Sequence, residues 1–211
     1  MAILLSTAYL PPISYLSAYV LSEKIIIERF ETYTKQTCRN RCNIYGPNGI
    51  QILSIPVRKI YGNHTLVKDI RITYTLPWQK IHWKSIETAY NNSPFFLYYR
   101  DYFEPFYTRK CNFLIDLNTD LLEIIFNILG IKREIVFTDQ YKKVPSITDL
   151  RNKLVQKKPS AIYSYPEYVQ PFREKSGFIP DLSIIDLLFN LGPETIDYLT
   201  SNSRIRMHET G

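Results

Sequence analysis

Apolar residues recur along this chain in two periods, and the alternation between them predicts a mixed α/β fold. Ala2-Ile3-Leu4-Leu5 is an unbroken apolar run of the kind that forms a buried strand. Ser6 to Leu10 reads as a loop that continues into Pro11-Pro12. The second proline suits a first helical turn, where its missing N–H would have no partner anyway. The helix that follows places Ile13, Leu16, Tyr19 and Val20 on one side. Lys24 to Arg29 is the next strand. Strand, loop, helix and strand in this order form a βαβ beginning, and ligands in such folds gather at the loop after the first strand. That loop carries Thr7 and Tyr9 but lacks the glycines of a dinucleotide or P-loop cradle.

Gly46-Pro47-Asn48-Gly49 is a hairpin signal, because Asn and Gly tolerate positive φ and Pro presets φ at a turn. The residues before it then read as extended, and so does the run Gln51 to Val57. In a strand, Arg39, Arg41 and Asn43 share a face, with the two guanidiniums about 7 Å apart. Like charges so close repel unless an anion sits between them. The pair is therefore a candidate grip for phosphate or carboxylate, which the planar guanidinium fork binds bidentately. Asn40 joins the same candidate substrate-binding group. The competing expectation is two solvated arginines, or arginines that pair with acids elsewhere.

Val67 to Ile72 alternates and predicts a strand. Trp78 to Asn91 predicts a helix with Trp78, Ile81, Ile86, Ala89 and Tyr90 on its apolar side and His82 among them. Ser93-Pro94 ends it. The aromatic stretch Phe95 to Tyr107 reads as packing. Asn118-Thr119-Asp120 supplies cap residues for a helix to Leu129, and Gly130 is its stop. Arg133 to Thr138 predicts a strand, and residues 140–159 a long polar connection. A buried helix spans Leu182 to Leu191, Gly192-Pro193 breaks it, and a short helix runs to Leu199. Ser183, Asp186 and Asn190 form its one polar stripe, which lines a site or is a solvated edge. The expected architecture is a mixed sheet with a βαβ start, a β-hairpin, flanking helices and a helical C-terminal segment. One domain spans residues 1–200, and a frayed tail covers residues 201–211.

Composition narrows the function little. The 211 residues are 45% hydrophobic and 22% charged, which suffices for a real core. The net charge of +6 favours acidic partners, yet the basic residues are scattered and no nucleic-acid motif occurs, so no nucleic-acid partner is expected. The 17 tyrosines read as compositional drift alongside abundant Ile, Lys and Asn rather than as a stacking surface. Cys38, Cys42 and Cys111 form no CxxC, and on a strand Cys38 and Cys42 would be about 13 Å apart, too far to share a zinc ion. Reduced thiols in a cytoplasm follow, with no metal and no cofactor. The apolar N-terminal run lacks a basic leader and is broken by Pro11-Pro12, which argues against export and membrane insertion. GxSxG, HExxH and GxxxxGK[ST] are absent.

Several blocks resemble the WbqC-like protein family. They are Tyr9-Leu10-Pro11, Cys38-Arg39-Asn40-Arg41-Cys42, Pro47-Asn48-Gly49 with Ser54-Ile55-Pro56-Val57, Trp78 to Tyr90, Ser93-Pro94-Phe95-Phe96, Tyr168-Val169-Gln170, and Asp181 through Pro193. The pattern is most similar to members of the Bacteroides type. The resemblance implies a part in surface-polysaccharide biosynthesis, with glycine-type or aminoacyl transfer onto amino sugars. The chain departs from the pattern at Thr7-Ala8, where members often carry Gln-Pro, and in a compressed segment from Lys157 to Pro166. Read as a transferase, Arg39 and Arg41 hold a phosphate or carboxylate and Tyr9 lines the pocket. Asn40, Ser183 and Asn190 complete the substrate-binding set, and His82 or Asp186 accepts the amine proton. The alternatives are a non-catalytic module for an anionic metabolite or sugar nucleotide, and a protein-interaction partner that uses the aromatic stretch.

Overall fold

A computed structural model describes residues 2–154 and 165–201. Its centre is a four-stranded parallel sheet in the order β7-β2-β1-β8. Strand β1 (Ala2–Ser6) and strand β2 (Lys24–Glu28) pair along their whole length, Ala2 opposite Lys24 and Ser6 opposite Glu28. Helix α1 (Ile13–Leu21) makes the crossover between them. The apolar runs Ile3 to Leu5 and Ile25 to Ile27 put strand side chains inside on both sheet faces, as parallel sheets require. Strands β7 (Val136–Phe137) and β8 (Thr148–Asp149) are two residues each and pair parallel to β2 and β1. Strand β8 falls inside the stretch expected as a polar connection. The remainder of that connection beyond Leu154, most of the compressed segment and the tail beyond Ser201 lie outside the described residues.

The hairpin forms where the turn signal places it, from β3 (Arg41–Gly46) and β4 (Gly49–Ser54) around Pro47-Asn48. Gly49 takes φ +95°, which an L side chain rarely adopts. The strand stops short of Arg39, however. Residues 35–40 turn, with the Asn40 N–H bonded to the Thr37 carbonyl, so Arg39 and Arg41 do not sit on one strand face. A second antiparallel ribbon joins β5 (Val57–Arg58) to β6 (Arg71–Ile72). The strand expected from Val67 shrinks to these last two residues, because Val67–Asp69 closes a 3-10 turn instead.

Helix α2 (Trp78–Tyr90) follows the predicted bounds to within a residue. Its inner face carries Trp78, His82, Ile86, Ala89 and Tyr90, while Ile81 is 55% exposed, so the imidazole takes the place that periodicity gave to isoleucine. The aromatic stretch folds as helix α3 (Phe96–Phe103). Helix α4 (Leu114–Leu129) starts four residues before its expected cap. Asn118 is an interior helical residue, 2% exposed, and Gly130 ends the helix at φ +67°. After a short helix α5 (Arg173–Ser176), helices α6 (Ile184–Leu191) and α7 (Thr195–Ser201) close the fold. One cluster of buried apolar side chains draws on elements from β1 to α7. No helix among the described residues is long and apolar enough to cross a membrane.

Candidate functional site

The site builds outward from the carboxyl ends of the parallel strands, where polar side chains are buried together. Ser6 closes β1. Its hydroxyl donates to the Arg151 carbonyl at 2.9 Å and accepts Arg39 Nη2 at 2.7 Å. Arg39 is 1% exposed. Its Nε and Nη2 clasp the two oxygens of Glu31 at 2.9 and 2.8 Å, and Nη1 reaches Thr37 Oγ1 at 3.2 Å. Beside it, Arg151 bridges Asp149, through Nε at 2.9 Å and Nη2 at 2.6 Å, to the fully buried Glu28 at 3.2 Å. Hydrogen bonding from Arg151 holds the Asp149 carboxyl below its usual pKa. Glu28 also accepts Thr138 Oγ1 and the Phe30 N–H. Such pairs tolerate burial because each carboxylate oxygen finds at least one donor. The Arg39 fork is thereby filled, and the two-arginine grip expected from sequence does not form.

The loop after β1 is held in a costly shape. Leu10 adopts φ +40°, a conformation worth about 1–3 kcal/mol of strain for a residue with a Cβ. The start of α6 imposes it. Ser183 Oγ donates to the Leu10 carbonyl, Ile184 N–H to Pro11, and Ile13 N–H to Leu182. Asp181 accepts both the N–H and the hydroxyl of Ser14, at the start of α1. The loop thus presents Tyr9 inward, and the Tyr9 N–H bonds the Cys38 carbonyl.

Tyr9 meets His82 there. Tyr9 Oη lies 3.0 Å from His82 Nδ1 and 2.8 Å from Tyr107 Oη. Burial lowers the His82 pKa to about 4, and only a hydrogen bond to the Ser54 backbone pushes it back up. The imidazole is therefore neutral at physiological pH. Donation to the Ser54 carbonyl leaves Nδ1 to accept from Tyr9. Ser54 also receives Arg41 Nε on its hydroxyl at 3.2 Å. Arg41 is half-buried, and among the described residues it has no acid partner. A chain of contacts accordingly runs from Arg41 to the Ser54 hydroxyl, from the Ser54 backbone to His82, and on through Tyr9 to Tyr107. Desolvation raises both phenols well above their usual pKa, so both keep their protons. The indole N–H of Trp78, beside His82 at 5.1 Å between rings, has no partner among the described residues.

Asp186 stands at a separate centre. It is fully buried and accepts Tyr168 Oη at 2.5 Å, Tyr90 Oη at 2.8 Å and Gln170 Nε2 at 2.9 Å. Desolvation raises its pKa against these three donors. Asn190 Nδ2 donates to the Asp186 carbonyl and Ser183 to Leu10; the stripe is buried at Ser183 and Asp186 and half-buried at Asn190. Asn40 is engaged just past the end of β4, its backbone carbonyl accepting the Ile55 N–H and its Nδ2 donating to the Ile55 carbonyl. The structure thus brings together Tyr9, His82 and Arg41, and leaves Arg39, Asn40 and the α6 stripe on their own partners. Sequence reasoning missed Asn118, whose Nδ2 donates to Thr7 Oγ1 and to the Arg39 carbonyl. It also missed Tyr107, Glu31 and Arg151, none of which carries a local signal.

The thiols offer no nucleophile in this state. Burial pushes Cys38 up to about 12 and Cys42 higher still. The cysteines are free, and no group of three or more metal-ligating side chains occurs among the described residues.

The residues that build this site fall within two matched stretches. Residues 7–158 and 156–198 match the model of the WbqC-like protein family. The chain belongs to that family. The WbqC-like match takes in Tyr9, Arg41, Ser54, His82 and Tyr107 in its first stretch and Tyr168, Gln170 and Asp186 in its second. The chain is also similar to the uncharacterized protein Rv1507c of Mycobacterium tuberculosis (strain ATCC 25618 / H37Rv). The two are 29% identical over 217 residues, which cover 90% of this chain and 94% of that one. No solved structure matches the chain.

Proposed function

We propose that this WbqC-like protein serves surface-polysaccharide biosynthesis by direct transfer of an acyl or aminoacyl group onto the amino group of a sugar or sugar nucleotide. The observation that carries the reading is the chain Arg41–Ser54–His82–Tyr9–Tyr107. It joins a half-buried cation with no acid partner among the described residues to a neutral imidazole through one residue. Arg41 takes the phosphate of a sugar nucleotide or the carboxylate of a donor. The sugar nitrogen attacks the donor carbonyl carbon, a C–N bond forms, and the leaving group departs with its electron pair. Tyr9 receives the amine proton as it passes its own to His82 Nδ1. An anionic leaving group beside His82 raises its basicity at that moment. No covalent enzyme intermediate is needed, in keeping with the inert thiols. Asp186 positions Tyr90 and Tyr168 and does not touch substrate in this reading.

A second reading, a binding module for the same anionic ligand, is favoured by the burial of Tyr9 and His82, which are 0% and 3% exposed. Substrate reaches them only if the packing around Tyr9 and His82 opens. The two readings separate in one experiment. The protein is mixed with amino-sugar nucleotides and with thioester, acyl-adenylate and aminoacyl-tRNA donors, and products are sought by mass spectrometry. Transfer that falls about 10²- to 10⁴-fold in His82→Gln and Tyr9→Phe supports catalysis. Thermal stabilisation by a sugar nucleotide, lost in Arg41→Gln and without transfer, leaves the binding module. Absence of any such stabilisation removes both.

A further inference from the structure

Beyond the Arg41 site, the β5–β6 ribbon carries a second cationic feature. Arg58 and Arg71 are direct register partners on these antiparallel strands, with Val57 opposite Ile72 in the adjoining pair. Directly opposite residues project from the same face with Cβ atoms about 5 Å apart. Both arginines are exposed, and Ile72 is buried on the other face. Like charges in this position destabilise a ribbon. Among the described residues neither guanidinium has an acid partner or a hydrogen bond, while the neighbouring Lys68 is neutralised by Asp69. Arg71 is also held in place, because its guanidinium lies over the Phe113 ring at 4.8 Å and Phe113 bridges β6 from the other side. A ring-stacked guanidinium keeps its N–H edges free for an anion.

We infer that Arg58 and Arg71 form a binding site for a phosphate group of charge near −2, a phosphate monoester or a diphosphate. Two guanidiniums projecting from one face of the ribbon carry ten N–H donors and a double positive charge. A single carboxylate would neutralise half of that charge. A tetrahedral dianion accepts from both forks at once and turns the repulsion into a clamp. The phosphate can belong to a soluble molecule or to a lipid headgroup, since both offer the same oxygens.

The test uses the full chain and sodium pyrophosphate in a calorimetric titration at low salt, with Arg58→Gln and Arg71→Gln beside the wild type. Each substitution weakens binding by about 10- to 100-fold, as loss of a charge-assisted hydrogen bond requires. Without anion, Arg58→Gln melts at or above the wild-type temperature, because it removes repulsion and no contact. Both signs together support the clamp. Failure of pyrophosphate to bind the wild type overturns it, as does equal binding by the variants or a lower anion-free melting temperature in Arg58→Gln. UDP titration and co-sedimentation with phosphatidylcholine vesicles containing phosphatidic acid then tell the soluble source from the headgroup. Binding to either that weakens in Arg58→Gln and persists in Arg41→Gln supports the shared chemistry, and binding to neither, or binding unchanged in Arg58→Gln, overturns it. Arg41→Gln retains this pyrophosphate site, so loss of the Arg41 reading leaves the clamp untouched.

Discussion

Acidification should weaken this protein through His82, and the size of the effect follows from its surroundings. The imidazole is 3% exposed and faces Tyr9, Trp78 and the Ser54 backbone, so burial dominates its titration. Its pKa falls from the ordinary 6.5 to about 4 in the fold. Between these values the unfolded chain binds a proton that the folded chain refuses. Stability from this group is therefore fully present above pH 6.5 and is lost as the pH falls toward 4. A proton displaced across that interval is worth roughly 3 kcal/mol at about 1.4 kcal/mol per pH unit, and about 2.5 kcal/mol of it is gone by pH 4.5. That is a large share of the roughly 5–15 kcal/mol that holds a domain together. Asp186 acts in the opposite sense, since its raised pKa favours the fold as pH falls, and Asp149 acts in the same sense as His82. The measurement must therefore be a difference. Urea unfolding of the wild type and of His82→Gln at pH 7 and pH 4.5 supplies it, because glutamine can still accept from Tyr9 and donate to Ser54. The wild type should lose about 2.5 kcal/mol more than the variant. Equal losses, or an NMR titration that places His82 at or above 6.5, would refute the reasoning.

Two further substitutions test other parts of the fold. Arg39→Met should cost about 3–5 kcal/mol by leaving Glu31 buried and unpaired, whereas Arg39→Met with Glu31→Leu should recover much of that loss; additive losses in urea unfolding would mean that the pair does not act as one unit. Gly192→Ala should cost about 2–5 kcal/mol, because the residue sits at φ +56° and an added Cβ would lie 2.5 Å from the Phe95 ring. A melting temperature unchanged from the wild type would show that this turn yields freely.

What the sequence revealed depended on how far apart the cooperating residues lie. Helices α1 and α2, the Gly130 stop and the Pro47-Asn48 turn are written in neighbouring residues, and each formed within a residue or two of its expected place. Strand β8 was invisible because its two residues become a strand only by pairing with the free edge of β1. Asn118 suits a cap by residue type, and only its long-range bonds to Thr7 and the Arg39 carbonyl explain its position inside a helix. The burial of His82 could be read from the spacing of α2, but its partner Tyr9 is 73 residues away. The charges were the least legible. Nothing local says that Arg39 will close on Glu31 while Arg41 stays open, since that choice is made by the turn at residues 35–40.

The stitching of residues 10–14 to residues 181–184 sets a timetable for synthesis. The carbonyls of Leu10 and Pro11 and the first turn of α1 find their partners only when Asp181, Leu182, Ser183 and Ile184 have left the ribosome. Until then Leu10 has no reason to stay left-handed, and Tyr9 is not delivered to His82. Strands β1 and β2 with α1 can associate early, yet the Tyr9–His82 contact they support waits for the much later segment around Ser183. A nascent chain stalled before residue 181 would carry most of the sheet and none of the finished Tyr9–His82 contact. Partial products of this chain are thus kept from closing the Tyr9–His82 contact by the order in which its segments are made.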